Sequence, residues 1–167
     1  VKDIILSLGS YMMKLAGKGD DIGQNKKMIM ENINNKKALN KFKELIKNQG
    51  GDVSYIEDTS KFEKAKYIIP IRSEKMGYIK SMNNEKIGYI SSSLGAGRLK
   101  KEDKINDKVG IIINKKIGDK VNVGDVLGFI HSDDIEVGNN AVKEMQNCYE
   151  FSNEYVEKQK HILGIIK

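Results

Sequence analysis

Apolar residues recur at spacings of three and four along the first fifty residues. This period predicts a helix over 2–17, a short second helix over 26–34 and a third over about 37–48, which ends at Gly50-Gly51. The first apolar stripe consists of Ile4, Leu8, Tyr11, Met12 and Leu15. No predicted strand lies near the three helices to cover their apolar faces. We therefore expect the surface that covers them to lie outside this chain.

From Lys66 onward the pattern changes to short β-branched runs separated by glycines. These runs predict five strands, at 67–71, 77–79, 86–90, 109–113 and 126–130. Pro70 cannot donate to a sheet ladder, so its strand is expected at an edge or an end. A closing helix is predicted from 139 to 147 or beyond. The apolar residues 161–166 are expected to form a terminal strand or a docked tail.

Composition restricts the class of protein. The net charge is +6, but Arg72 and Arg98 are the only arginines and no motif interleaves aromatic with basic residues. This favours a solvated surface over a nucleic-acid groove. No apolar run exceeds three residues, as in Ile111–Ile113, and no apolar signal segment follows Val1. We therefore expect a cytoplasmic protein with neither a nucleic-acid nor a membrane partner.

Two further features concern chemistry and completeness. Cys148 is the only cysteine, so it is expected to be a buried or incidental thiol rather than part of a disulfide or metal site. The chain opens on Val1 and enters a helix almost at once, without an initiator Met. This opening predicts a piece cut from a longer protein.

The segment 118–127 contains two Gly-Asp turns, Gly118-Asp119 and Gly124-Asp125. Glycine suits positive φ and aspartate bonds to turn backbone, so the segment predicts a tight strand-turn-strand unit. Such units occur in barrel-sandwich folds, including lipoyl and biotinyl carrier domains. A non-catalytic carrier or interaction module is therefore the alternative interpretation. Against it, Lys115 and Lys116 precede the first turn and have no methionine beside them.

A second segment, 94–105, contains the glycine loop, defined here as Gly95, Ala96, Gly97 and Arg98. Its spacing fits neither a dinucleotide fingerprint nor a phosphate-binding P-loop. One interpretation is a flexible turn with a charged flank. The other is a loop whose amides and Arg98 meet an anion or a neighbouring domain.

Several short motifs, taken in order, resemble the C-terminal region of pyrimidine-nucleoside and thymidine phosphorylases. The resemblance covers most of residues 1–135 and rests first on Leu94-Gly-Ala-Gly-Arg98, Lys101-Glu102-Asp103, Val109-Gly110-Ile111, Lys116-Ile117-Gly118-Asp119 and Ile130-His131-Ser132. Upstream it rests on Leu8-Gly9-Ser10-Tyr11-Met12, Leu15-Ala16 and Gln49-Gly50-Gly51-Asp52. It weakens after Asp133.

The resemblance implies the activity of a parent enzyme. Members of this family are dimers in which phosphate attacks C1′ of a pyrimidine nucleoside and releases the base. The groups that hold the co-substrate phosphate lie N-terminal to the matched region. The ligands of a structural potassium ion lie there as well. The resemblance therefore places no catalytic, substrate-binding or metal-binding residue in this chain. It implies as partners the missing N-terminal part and a second subunit of a homodimer.

The resemblance also implies a fold and one site. The fold is α+β: residues 1–52 are a helical segment of a larger α/β domain, 53–65 a linker, 66–133 a β-rich α/β-hammerhead or barrel-sandwich module, and 134–167 a C-terminal helix and tail. The glycine loop matches a family loop expected near the cleft between the domains. We expect Gly95 and Gly97 to use positive φ to follow closure of the cleft. His131, at a strand end, is expected to be structural.

Overall fold

A computed structural model of the chain describes residues 1–98, 100–158 and 160–166. Two compact units are present. The helical unit comprises Val1–Phe62 and Lys160–Lys167, and the sheet unit comprises Glu63–Gln159. Four helices precede the strands, two more lie among them, and both sheets are antiparallel, which confirms the predicted α+β class.

The helical unit contains the three predicted helices and a short fourth. They are α1 (Lys2–Leu15), α2 (Ile22–Asn34), α3 (Lys37–Asn48) and α4 (Ser54–Glu57), followed by a 3-10 turn at Thr59–Lys61. Asp21 caps α2 by accepting a hydrogen bond from the Gln24 amide at 2.9 Å. Helices α1 and α2 approach closely at Gly9, where a β-carbon would lie 2.9 Å from Ile29 Cδ1.

The helical unit buries polar rather than apolar side chains. Asn25 is 1% exposed, and its amide donates to the carbonyls of Ser10 at 3.1 Å and Gly19 at 2.8 Å. Large apolar side chains are open to solvent, among them Leu8, which is 61% exposed. Leu15 and Phe42 are exposed as well. The apolar stripes read from the sequence are thus largely uncovered within this chain.

The predicted linker, 53–65, contains the boundary between the two units, which falls between Phe62 and Glu63. Its first part has regular structure, namely α4 and the 3-10 turn. There the rings of Tyr55 and Phe62 lie 5.1 Å apart, centroid to centroid. This part of the segment therefore belongs to the helical unit.

Two three-stranded antiparallel sheets form the sheet unit. The strands are β1 (Tyr67–Arg72), β2 (Gly77–Met82), β3 (Gly110–Ile113), β4 (Lys120–Val121), β5 (Val126–Ser132) and β6 (Tyr149–Ser152). One sheet has the order β1-β5-β3 and the other β4-β2-β6. Pro70 lies opposite Phe129 in the edge strand β1, so the edge position predicted from proline is confirmed.

The strand predicted at 86–90 is wrong, because helix α5 (Asn84–Ser91) occupies these residues. Asn83 caps it by accepting from the Lys86 amide at 2.9 Å. Ile87 and Ile90 are buried at helical spacing, whereas Tyr89 between them is 62% exposed. A strand would have placed Ile87 and Tyr89 on the same face.

The sheet unit continues beyond residue 133, where the β-rich module was predicted to end. Asp134 caps helix α6 (Ile135–Gln146), and its carboxylate accepts from the amides of Glu136 and Val137. Strand β6 then pairs antiparallel with β2. The closing helix predicted over 139–147 is confirmed with an earlier start. The tail, 161–166, contributes none of the strands found in the described residues.

The apolar core lies in the sheet unit. All buried hydrophobic side chains of the described residues belong to it, and those least exposed are Ile71, Ile79, Ile90, Val121, Leu127, Ile130 and Met145. Helix α6 approaches the sheet at Gly138, where a β-carbon would lie 2.6 Å from Ile69 Cδ1. Cys148 is buried as predicted, at 2% exposure. Among the described residues, no helix has the length and apolar content needed to cross a bilayer.

Candidate functional site

The glycine loop continues directly from helix α5. Residues Ser92–Ala96 form a wide π turn, and Leu94, 8% exposed, extends the buried stripe of Ile87 and Ile90 by one further step. The hydroxyls of Ser92 and Ser93 donate to the carbonyls of Gly88 and Ile90. Both hydroxyls donate to backbone carbonyls, and within residues 1–98, 100–158 and 160–166 neither is paired with a base as a catalytic nucleophile would be.

Gly95 is the residue of the loop that needs glycine for its backbone conformation. Its φ is 99°, which side chains other than glycine rarely adopt. Its carbonyl accepts a hydrogen bond from the Asn106 amide at 2.9 Å. A β-carbon there would lie 3.7 Å from Val109 Cγ2, an ordinary contact. Backbone strain, not lack of space, is therefore what restricts this position.

Gly97 does not have positive φ in this structure. Its φ is −143° and its ψ 176°, an extended conformation open to any residue. Glycine is needed for a different reason, since a β-carbon would lie 2.7 Å from Ser92 Oγ and 3.3 Å from Ser92 Cβ. The constraint at Gly97 is close approach to the preceding turn.

Ala96 and Arg98 differ in how they are held. Ala96 is half-buried against the core and lies near Gly110 of β3. Arg98 is exposed, and in the part of the chain that the structure describes its guanidinium forms no ion pair. The loop is therefore held at Gly95 and Ala96, next to the buried Leu94, and is exposed at Arg98.

A polar cluster beyond the loop fixes the position of Asn106. The Asn106 side chain donates to Asp133 Oδ2 at 2.9 Å, and the Lys66 amide donates to Asp133 Oδ1 at 2.9 Å. Lys108 Nζ lies 3.5 Å from the same carboxylate and 3.4 Å from Glu63. The Asn106 hydrogen bond, then that of Lys66, lowers the pKa of Asp133, with a further contribution from Lys108.

Asn106 thus connects the loop to the sheet, because its backbone amide holds Gly95 while its side chain holds Asp133 at the end of β5. Neither Asn106 nor Asp133 is predicted as part of the site from the sequence. The only available signal was the polar type of the two residues, which lie 27 positions apart.

The two Gly-Asp turns have the predicted chemistry. Gly118 and Gly124 have φ of 85° and 89°. Asp119 accepts from the Lys116 amide, and Asp125 accepts from the Asn122 amide, both at 2.9 Å. The strands that flank the second turn belong to different sheets, so this turn carries the chain from one sheet to the other.

Lys115 and Lys116 do not lie at the exposed hairpin tip that a swinging-arm carrier uses. The Lys115 amide donates to the Leu127 carbonyl at 3.0 Å, and the Lys116 amide is bound in the Asp119 turn. Both lysines therefore belong to a backbone segment that is fixed against β5 and the turn. No observed contact favours the carrier interpretation.

His131 lies half-buried in β5, opposite Ile68 of β1 and Gly110 of β3. Among the described residues, no group of three or more His, Cys, Asp or Glu side chains is placed to hold a metal ion. The exposed Arg98 guanidinium is a group that can hold an anion or a carbonyl group of a neighbouring surface. The fold around this site is that of an α+β domain.

Comparison with known proteins identifies the family. Residues 78–152 match the Pyrimidine nucleoside phosphorylase C-terminal domain. Proteins called pyrimidine-nucleoside phosphorylase in Staphylococcus aureus strains USA300 and NCTC 8325 / PS 47 are 41% identical to this chain over 154 residues. Their counterpart in the bovine strain RF122 / ET3-1 is 40% identical over 154 residues. The alignments cover 92% of this chain and 35% of each relative.

The chain therefore belongs to the pyrimidine-nucleoside phosphorylase family over the part that these alignments cover, and the resemblance seen in its sequence is confirmed. It spans about a third of the length of the curated relatives that it matches.

Proposed function

We propose that this chain is the C-terminal portion of an enzyme that uses phosphate to cleave uridine- or thymidine-like nucleosides into a base and a pentose 1-phosphate. The observation that carries this proposal is 41% identity to pyrimidine-nucleoside phosphorylases over 92% of the chain. The reaction is a pentosyl transfer, in which the glycosidic bond from C1′ to the base breaks and a bond from C1′ to a phosphate oxygen forms. The chain itself serves structure and domain closure.

We propose that the chemistry takes place in the remainder of the parent enzyme. Phosphate must be held against C1′, and charge must be stabilised on the departing base. The glycine loop and its polar cluster contain no arrangement of that kind in the described residues. We therefore place the phosphate site, the potassium site and the catalytic groups in the two thirds of the parent that this chain does not cover, and we propose a cytoplasmic homodimer.

Exposed apolar side chains of the helical unit support the proposal that the rest of the parent enzyme covers this unit. Met12 is 68% exposed and Leu15 is 88% exposed, although both lie on the apolar stripe of α1. Phe42 and Leu45 of α3 are about half-exposed. Apolar faces of this kind are stabilised when another surface removes them from water. We propose that the N-terminal part of the parent provides that surface.

The glycine loop is proposed to guide closure of the cleft in the parent. Leu94 and Ala96 hold its start against the core, and Asn106 holds the Gly95 carbonyl, so movement is restricted to the segment that begins at Gly97. Arg98 then offers a planar set of donors to a carboxylate, phosphate or carbonyl group on the opposite side of the cleft.

To test whether the chemistry takes place in the remainder of the parent enzyme, the purified chain is incubated with uridine, thymidine and phosphate. We expect no release of base above background from the chain, and phosphate-dependent release from the full-length parent. Turnover by the pure chain would refute the assignment of the chemistry to the remainder of the enzyme. A parent that is folded but inactive on both nucleosides would refute the proposed reaction.

The role of the loop is tested in the parent with Gly97→Val. The new β-carbon would meet Ser92 Oγ at 2.7 Å, so the segment must shift, and we expect lower kcat/KM with the fold retained. Ser92→Ala removes that oxygen and should partly restore the activity of the Gly97→Val enzyme. Lys115→Ala is the matched control and should change little. Unchanged kinetics for Gly97→Val, with loss of function for Lys115→Ala, would instead support a carrier.

A further inference from the structure

The carboxylate of Asp133 binds two segments that are far from it in the chain. Asp133 directly follows β5, and its two oxygens have different partners. Oδ1 accepts a hydrogen bond from the Lys66 backbone amide, 67 positions away, and Oδ2 accepts one from the Asn106 side chain, 27 positions away. Both distances from nitrogen to oxygen are 2.9 Å. One side chain therefore joins the end of β5 to the start of β1 and to the segment that precedes β3.

The segment before β1 fixes the orientation of this carboxylate. Lys66 is followed by β1 and preceded by Ala65, which is buried in the apolar core. The Lys66 amide therefore has a fixed position, and so does the oxygen that it binds. Lys108 Nζ lies 3.5 Å from Asp133 Oδ2 and 3.4 Å from Glu63 Oε2. Exposed ion pairs of this kind contribute little, so the two hydrogen bonds set the orientation.

Asn106 connects this carboxylate to the glycine loop. Its side-chain nitrogen donates to Asp133, and its side-chain oxygen accepts from the Lys108 amide at 3.2 Å. Only one orientation of the Asn106 amide group satisfies both partners, because a carboxylate cannot donate and a backbone N–H cannot accept. The backbone amide of Asn106 donates to the Gly95 carbonyl at 2.9 Å. The position of the Gly95 turn, from which the loop continues to Arg98, thus depends on the conformation of Asn106.

The two hydrogen bonds require a carboxylate at position 133. An asparagine there would keep one acceptor oxygen and turn an NH₂ group toward one of the two donors. It would then lose the hydrogen bond from either Lys66 or Asn106. The Asn106 hydrogen bond, then that of Lys66, lowers the pKa of Asp133, so the carboxyl group is ionised and accepts at both oxygens at neutral pH.

We propose that Asp133 is a positioning residue for the nucleoside cleavage proposed above, and that it acts through Asn106 on the direction in which Arg98 leaves the loop. This inference rests on the proposed function and adds to it a control of the loop by a side chain outside the loop. When the hydrogen bond to Asn106 is lost, Arg98 takes other directions and reaches its partner in a smaller fraction of closed molecules. A displacement of about 1 Å at a distance from the chemistry can reduce a rate by up to about a hundredfold.

The first test uses the full 167-residue chain and needs no enzymatic activity. Amide hydrogen exchange, followed by nuclear magnetic resonance, reports on the hydrogen bond from the Asn106 amide to Gly95. Asp133→Asn should speed exchange of the Asn106 amide about fivefold and shift the resonances of 95–98. Asp134→Asn is the matched control, since it removes the same charge at the next residue. Asparagine caps a helix as well as aspartate does, so this control should change neither.

Exchanging the two side chains should restore the contact. In the chain with both Asp133→Asn and Asn106→Asp, the amide at position 133 can donate to the carboxylate at position 106. Its oxygen can still accept from the Lys66 amide, and the carboxylate at 106 can accept from the Lys108 amide. The net charge is unchanged. Exchange of the amide at 106 should therefore return to within about twofold of the unmodified chain.

The second test measures kcat/KM for phosphate-dependent cleavage of uridine by the full-length parent. Asp133→Asn and Arg98→Ala should each lower it about tenfold. Together they should also lower it about tenfold, not about a hundredfold, because Asp133 acts through Arg98. A loss of folded enzyme would instead reduce activity by the same factor whether Arg98 is present or not. The exchanged pair should recover to within about twofold of the unmodified parent, and Asp134→Asn should have no effect.

Three results would overturn the inference. Unchanged exchange at Asn106 and unchanged resonances at 95–98 in Asp133→Asn would show that the carboxylate does not hold the loop. Losses that multiply for Asp133→Asn and Arg98→Ala would show that Asp133 does not act through Arg98. An exchanged pair as impaired as Asp133→Asn alone would show that the contact itself has no role. An inactive unmodified parent would refute the proposed function instead, and the exchange measurements would then decide whether Asp133 holds the loop.

Discussion

Gly128 is the position at which the packing of the sheet unit makes its strongest prediction. It lies in β5, the central strand of the β1-β5-β3 sheet, opposite Ile71 and Ile113. A β-carbon at Gly128 would lie 2.2 Å from the carbonyl oxygen of Ile112 and 3.4 Å from Ile113 Cα. Both atoms belong to backbone, so no side-chain rotation can relieve the contact.

The expected cost of Gly128→Ala follows from these distances. To bring the new methyl group to an ordinary contact distance, β3 must move away from β5 by on the order of 1 Å. Overpacking of this kind costs about 1–3 kcal/mol. The movement also weakens hydrogen bonds between β3 and β5, and each buried group left unsatisfied costs about 1–3 kcal/mol. We therefore expect the free energy of unfolding to fall by about 2–6 kcal/mol, a large part of a domain's usual total.

Urea denaturation followed by far-ultraviolet circular dichroism measures this loss. Gly88→Ala is the matched control, because nothing lies within 4 Å of a β-carbon at this helical position. Alanine forms helices better than glycine, so the Gly88→Ala chain should be more stable than the unmodified chain by about 0.5–1 kcal/mol. If Gly128→Ala changed the free energy of unfolding by less than about 1 kcal/mol, the close β3–β5 approach would be wrong.

Two further predictions concern stability. The slowest amide hydrogen exchange should occur at 109–113 and 126–130, in the apolar core of the sheet unit, and exchange should be faster across 1–50. Uniform protection of both regions in a monomer would contradict the idea that the helices need a covering surface from outside this chain. Hydrogen bonds from the Lys158 ammonium and, to a smaller extent, from the Lys116 amide lower the pKa of Asp119 from its usual 3.8. The Asp119 carboxylate therefore stabilises the fold above pH 3.8, and this stabilisation is lost as the pH falls further. The stability difference between wild type and Asp119→Asn should therefore shrink in acid, and a constant difference would refute this role.

Local signals in the sequence were sufficient for much of the fold. The helical period located α1 to α3, and β-branched runs between glycines located β1, β2, β3 and β5. These elements are specified by side chains within one segment. Pro70 even indicated the edge of its sheet, because the missing amide hydrogen is a property of the residue itself.

The errors arose where local patterns are ambiguous. Residues 86–90 contain β-branched and aromatic side chains in a run too short to distinguish a strand from a buried helix. The better signal was Asn83, a favourable N-cap, followed by Ile87 and Ile90 at a spacing of three. Strand β6 was missed, although Tyr149 and Phe151 alternate with polar residues.

The candidate site could be read from the sequence only in part. The glycine loop was recognised, but the sequence could not show which glycine takes positive φ, since that depends on where α5 ends and on the hydrogen bond from Asn106. The contact between Asn106 and Asp133 joins residues far apart in the chain, so it depends on tertiary structure.

The most direct test of the proposed function is a chimera. The aligned 154 residues of the Staphylococcus aureus USA300 pyrimidine-nucleoside phosphorylase would be replaced by the matching residues of this chain, and phosphate-dependent release of uracil from uridine would be measured. If this chain supplies the structural and closure part of such an enzyme, the chimera should turn over uridine, and Gly97→Val should reduce its kcat/KM. A chimera that folds and has the oligomeric state of the unmodified Staphylococcus aureus enzyme, but releases no uracil, would contradict that function.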